Sequence, residues 1–136
     1  MKTYSAKEVL IALGSHAVTG YADDSFVTIE PNVDGIMKKF GCDGEVARAM
    51  SPDASYKVKI SLLQTSPTNS WLQNKYNQDM QTGEGTFPVL IKDLKGGTVF
   101  SVSDAWVIKR ASRGYGKDTG TREWEIDTGN DAFLSE

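Results

Sequence analysis

Apolar and polar positions alternate strictly from Tyr56 to Leu63. Tyr56, Val58, Ile60 and Leu62 fall on one side, and Lys57, Lys59, Ser61 and Leu63 on the other. A period of two marks a strand with one buried face. The alternation breaks at Thr65-Ser66-Pro67-Thr68-Asn69-Ser70, after which Trp71, Leu72, Tyr76 and Met80 stand near helical spacing. Ser66 is a good N-cap, because its hydroxyl accepts a bond from an otherwise orphaned backbone N–H. Pro67 suits the first helical position, where its missing N–H costs nothing. The pattern predicts a helix from Pro67 to about Asp79, in a chain that otherwise reads as strands.

Val9 to Leu13 reads as a first strand closed by Gly14, and His16 to Tyr21 as a short return. Asp23-Asp24 marks a turn, and Phe26 to Ile29 a strand stopped by Pro31-Asn32. Ile36 to Phe40 and Glu45 to Met50 flank Gly41-Cys42-Asp43-Gly44. Asp-Gly between extended runs signals a hairpin, since both residues tolerate the positive φ of a tight turn. Ser51-Pro52-Asp53 breaks the chain before Tyr56. Beyond the helix, 81–86 is a polar loop, and Phe87 to Leu94 a strand whose early Pro88 marks an edge or a strand start. Lys95-Gly96-Gly97-Thr98 turns into a long strand, Val99 to Lys109. Arg113 to Thr121 is a glycine-bearing loop, Arg122 to Thr128 the last regular strand, and a short polar tail holds Phe133 and Leu134. No internal repeat or long linker divides the chain, so residues 1–136 read as one domain. Short strands with turns between them, plus one helix, predict a mainly β fold, a β-sandwich or partly closed barrel of packed antiparallel sheets with a flanking helix.

Composition narrows the function. At 136 residues, 39% hydrophobic and 24% charged, the chain has the make-up of a soluble globular domain that buries about two-thirds of its unfolded surface. A net charge of −3 argues against a protein that grips nucleic acid by its phosphates, yet suits a surface that nucleic acid slides past. The single cysteine, Cys42, permits no internal disulfide. The apolar run Val9 to Leu13 is too short for a signal-peptide core or a membrane span, so no membrane anchor is expected.

Candidate chemistry is sparse. His16 is the one histidine, so a histidine-rich metal site is excluded, and a Cys42–His16 pair is incomplete as a ligand set. The same pair is formally possible as a nucleophile and base, against the plainer reading of a turn cysteine and a loop-side histidine. Gly114-Tyr115-Gly116-Lys117 lacks the spacing of a phosphate-binding loop and precedes a strand. No catalytic residue, metal or cofactor is expected. Glu123, Glu125 and Asp127 sit two apart and form one row on a strand face, with Trp124 and Ile126 opposite. That row is either a solvated face or a functional acidic surface. An acid–base pair needs carboxylates in distinct environments, which a uniform row does not supply. Lys57 and Lys59 take the solvent face of their own strand, able to pair with the row across strands. Trp71, Trp106 and Trp124 can form a carbohydrate platform, but each falls on an apolar face of its element, which predicts core packing.

Gly41-Cys42-Asp43-Gly44-Glu45-Val46, followed by Leu62-Leu63-Gln64-Thr65-Ser66-Pro67-Thr68-Asn69, resembles the tail-tube proteins of contractile-tailed bacteriophages. That family carries a G-x-D-G-E turn and an L-L-x-T-S-P-x-N joint before its helix. It continues with a P-V-x-I-K-D strand, matched by Pro88 to Asp93, an A-W-V/I-x-K strand, matched by Ala105 to Lys109, and an E-W strand, matched by Glu123-Trp124. These motifs cover nearly the whole chain in order. The cysteine at position 42 and the tail Asp131 to Glu136, without terminal glycines, depart from the pattern.

The resemblance implies two sheets packed roughly orthogonally with the helix outside. It implies a structural virion protein whose homo-hexameric rings stack into a hollow tube that conducts the genome during ejection. The implied partners are a tail sheath protein, a baseplate or tube initiator and a tail terminator, with transient, non-specific passage of double-stranded DNA. The implied location is the virion tail, after synthesis in the host bacterial cytoplasm. It implies a ring-stacking loop at Lys38, Lys39, Phe40, Gly41, Cys42, Asp43, Gly44 and Glu45. Glu123, Glu125 and Asp127, with Lys57 and Lys59, are expected to face the lumen, and Trp71, Leu72 and Tyr76 to pack the helix on the sheet. A type VI secretion tube protein, which shares the fold, a monomeric carbohydrate- or peptide-binding β-sandwich and a small hydrolase are the alternatives.

Overall fold

The alternating strands assemble into one curved antiparallel sheet and a separate hairpin. The computed structural model describes residues 3–22 and 26–135, so the turn expected at Asp23-Asp24 lies outside the described residues. After a 3-10 turn at Ala6–Glu8 come β1 (Val9–Leu13), β2 (His16–Ala17), β3 (Val27–Pro31), β4 (Ile36–Phe40) and β5 (Val46–Met50). They are followed by β6 (Tyr56–Leu63), α1 (Thr68–Thr82), β7 (Phe87–Asp93), β8 (Val99–Val107), β9 (Thr121–Thr128) and β10 (Phe133–Ser135). The main sheet has eight strands in the order β2-β1-β7-β8-β9-β6-β3, with β10 added on β8. β4 and β5 form their own two-stranded sheet. The fold is mainly β with two antiparallel sheets and one helix, the class that the sequence predicts.

Every second residue of the main strands points into one core. Ile11 and Leu13, Val58, Ile60 and Leu62, Val89 and Ile91, and Trp124 and Ile126 meet there, with Leu72 of the helix. The short return after β1 nearly closes the sheet on itself. Ala17 pairs with Ala12 of β1, while farther along the same segment Gly20 accepts the Leu63 N–H at 2.8 Å and Tyr21 bridges to Leu62 of β6. One segment therefore touches both ends of the sheet, which makes a partly closed barrel. Gly20 allows this crossing: its φ is +73°, and an added Cβ would stand 2.6 Å from the Cβ of Ser66.

Both prolines obey the geometry of their strands. Pro31 does not stop β3 but ends it, paired with Tyr56, because β3 is outermost and no ladder bond needs the missing N–H. Pro88 marks a strand start and not an edge, since β7 lies between β1 and β8. Close by, the β7–β8 register shifts between Phe87 and Val89, where Phe87 faces Ala105 but Val89 faces Val102. The extra residue lies in β8 and switches its inward set from Phe100 and Val102 to Ala105 and Val107. Trp106 is therefore turned to the outer face, opposite Asp127, and lies outside the core cluster. This corrects the expectation that all three tryptophans pack inside. Trp124 alone is fully buried, and Trp71 packs half-buried at the core margin. β8 also stops at Val107, and the tail expected to be irregular pairs Phe133 to Ser135 with β8.

The joint before the helix differs by one residue from the expected cap: the helix begins at Thr68, with Pro67 and not Ser66 at the N-cap position. Pro67 has helical angles of −66° and −19°, and the Ser66 hydroxyl accepts the Thr68 N–H at 3.3 Å. The helix runs three residues past Asp79, to Thr82. It ends at Gly83, whose left-handed φ of 73° lets its N–H reach back to the Asp79 carbonyl.

Candidate assembly surfaces

The hairpin β4–β5 is an arm without a body. Every residue from Pro31 to Met50 is exposed. Its register puts Ile36 opposite Met50, Lys38 opposite Arg48 and Phe40 opposite Val46 on one face, with Met37–Ala49 and Lys39–Ala47 on the other. Met50 is 77% exposed and Phe40 65%. Apolar side chains gathered this way on one element are the mark of a surface awaiting a partner. The turn is well made: Gly41 N–H donates to the Glu45 carbonyl at 2.7 Å, and Asp43 Oδ1 accepts the Glu45 N–H at 3.1 Å. The expected stacking residues, Lys38 to Glu45, form the outer half of this longer arm. Its base is pinned to the barrel, where Asn32 donates to Ser55 Oγ at 2.8 Å and to Asp127 Oδ1 at 2.9 Å. The Ser55 hydroxyl and N–H both donate to Asp53, which holds that carboxyl below its ordinary pKa.

The second surface is the outer face of β3, β6 and β9. Lys57 lies opposite Asp127, Lys59 opposite Glu125 and Ser61 opposite Glu123, so the carboxylate row and both lysines share one face. The lysines do not simply neutralise the row. Lys59 Nζ lies 3.9 Å from Glu30 on the other side of β6, while Glu125 is met at 3.8 Å by Lys109. Glu30, Glu123, Glu125 and Asp127 outnumber Lys57, Lys59 and Lys109 by one charge, so the face keeps a slight negative surplus. Trp106 lines the same face beside Asp127.

A third site was not singled out from the sequence. Thr68 and Asn69, in the joint, are buried polar residues at its centre. Asn69 donates to the Leu63 carbonyl and accepts from the indole of Trp124, both at 2.9 Å. Thr68 Oγ1 meets His16 Nε2 at 2.8 Å, and the Ser66 hydroxyl donates to the Thr19 carbonyl. His16 stacks on Trp71 with ring centroids 5.2 Å apart, and Lys75 lies over that indole at 5.4 Å. The joint thus binds together the barrel-closing segment, the helix and β9. The signal was present in the unusual density of small polar residues at Thr65 to Ser70, but their burial was not.

Leu72 sits in the core, with Trp71 and Tyr76 at its margin, and Met80 is exposed. Cys42 lies at the exposed arm tip and His16 against the helix, in different sheets, so the structure does not bring the nucleophile–base pair together. Among the described residues, no group of three or more His, Cys, Asp or Glu side chains is placed to hold a metal ion. No helix there is long and apolar enough to cross a membrane.

A family model described as the bacteriophage PhiTE tail tube protein matches residues 1–134. Structural protein ORF10 of Pseudomonas phage KPP10 is 28% identical over 139 residues, spanning 96% of this chain and 80% of that protein. Among solved structures, a chain of the sheath/tube terminator of an extracellular contractile injection system, PVC, has a TM-score of 0.69. It covers 100% of this chain and 99% of its own at 10% identity. A chain of the PVC sheath-tube complex has a TM-score of 0.65 and covers 98% of this chain and 91% of its own at 9% identity. At such identities these two show the fold alone, whereas the family match runs almost from end to end. The ordered motifs, the mainly β architecture and that match agree: this chain belongs to the bacteriophage PhiTE tail tube protein family.

Proposed function

We propose that six copies of this protein form a ring and that rings stack into the hollow tube of a contractile phage tail, through which double-stranded DNA passes into the host. The observation that carries this reading is the arm at Ile36–Met50, detached from the barrel and lined with uncovered apolar side chains. A monomer gains nothing from such an arm and risks aggregation by it. In a stack, its outer half from Lys38 to Glu45 reaches the next ring, and weak contacts add up because each ring offers many at once. Among the described residues β3 carries no strand on its outer side, and lateral pairing between copies would satisfy such an edge in a closed ring.

In this arrangement the face holding Glu123, Glu125 and Asp127, with Lys57 and Lys59, lines the bore. A slight negative surplus repeated around a ring repels phosphates and keeps DNA from sticking. The outer side of the tube meets the sheath protein, and its two ends a baseplate initiator and a terminator. The protein is made in the host cytoplasm and functions in the virion tail. Shortening the arm between Lys38 and Glu45 should leave a folded protein, and rings at most, by negative-stain microscopy. Tubes of parental length from that variant would overturn the reading.

A further inference from the structure

We propose that the acidic tip of the arm docks on the basic loop between β8 and β9 of a second copy. This rests on the stacking role proposed above and identifies the surface that receives the arm. Within an acidic chain, residues 109–122 hold Lys109, Arg110, Arg113, Lys117 and Arg122 against the single carboxylate Asp118. Among the described residues, only Lys109 of these cations has a carboxylate partner. Arg110 lies 4.7 Å over the Tyr76 ring, and Arg113 reaches the Gln73 side-chain oxygen at 3.4 Å. Those contacts seat Arg110 and Arg113 against the helix but give neither an anionic partner, since neither an amide nor a ring is an anion.

The complement is on the arm. Its tip carries Asp43 and Glu45, neither of which forms an ion pair among the described residues. The nearest cation along β4, Lys39, lies on the face of the hairpin opposite Phe40, and Lys38 lies 5.1 Å over the Phe40 ring. Apolar surface matches as well. Phe40 is 65% exposed beside the tip, and Tyr115 is 77% exposed in the middle of the loop.

The two surfaces belong to opposite ends of one molecule. The arm leaves the barrel where Pro31 pairs with Tyr56, the first residue of β6, and the loop enters β9 where Thr121 pairs with Leu63, the last. Eight strand residues separate these points by about 23 Å. Complementary patches at opposite ends join copies head to tail, which is the geometry of an open-ended stack. The contact is electrostatic and exposed, so added salt weakens it.

Charge reversal tests the pairing. D43K/E45K and R113E/K117E should each yield folded rings with tubes about tenfold shorter or absent, because small losses multiply across a multivalent contact. Combining all four substitutions should restore tube length. Should R113E disturb the contact to Gln73, E45K with K117E repeats the test at one pair clear of the helix. Parental tube length in either single-site reversal overturns the proposal, as does failure of the combination to restore tubes from folded rings. Tubes from the arm-shortened protein would instead overturn the stacking role itself.

Discussion

The indole N–H of Trp124 donates to the side-chain oxygen of Asn69 at 2.9 Å, and both residues are buried. This bond links the first turn of the helix to the centre of β9, while the amide of Asn69 also satisfies the Leu63 carbonyl. Replacing Asn69 by alanine strands the buried indole N–H of Trp124, whereas the Leu63 carbonyl keeps the Ser66 N–H at 2.9 Å. The loss should be about 1–3 kcal/mol for this one group left without a partner. Urea denaturation reads it directly, and a loss under about 0.5 kcal/mol would show the bond to be incidental.

The three tryptophans should separate by environment. Trp124→Ala removes a fully buried ring and should cost about 3–5 kcal/mol. Trp106→Ala acts on the outer face and should cost less than about 1 kcal/mol. Trp71, half-buried between His16, Phe87 and Lys75, should fall between them. A Trp106→Ala loss equal to that of Trp124→Ala would contradict the bulge that turns Trp106 outward.

Tyr21 gives the protein an alkaline weakness. Burial raises its phenol above the ordinary value, an effect partly offset by a backbone hydrogen bond from Ile11. The folded state therefore holds the Tyr21 proton more tightly than the unfolded chain does. That contribution to stability is complete below about pH 10 and is lost as pH rises through the folded value. Thermal melting between about pH 8 and 11 should show a steeper alkaline decline in the parent than in Tyr21→Phe. Parallel declines would exclude Tyr21 as the source.

The charge of the bore has a functional readout. Particles carrying lysine at positions 123, 125 and 127 turn the carboxylate row basic, and they should eject DNA more slowly at low salt, where screening is weakest. The difference should shrink as salt is added. Ejection at the parental rate in low salt would sink the lumen assignment, and so would a tube reconstruction with all three side chains on the outer wall.

Local pattern alone carried most of the elements. The alternation from Tyr56 to Leu63, the Ser66-Pro67 entry to the helix and the Asp43-Gly44 turn are written in neighbouring residues, because pleat, cap and turn are satisfied within a few positions of the chain. The row at Glu123, Glu125 and Asp127 was legible for the same reason. What only the tertiary structure decided depends on pairing between distant segments. The phase of β8 flips at a bulge set by its register on β7, which sends Trp106 outward although its own strand reads as apolar there. The tail becomes a strand because β8 offers it a ladder. The polar joint becomes a buried network because Gly20 lets the return after β1 press against Ser66, and because Trp124, distant in sequence, places its indole beside Asn69. Whether a residue is inside or outside follows from periodicity only while the register holds. Once strands shift against one another, long-range hydrogen bonding chooses the face.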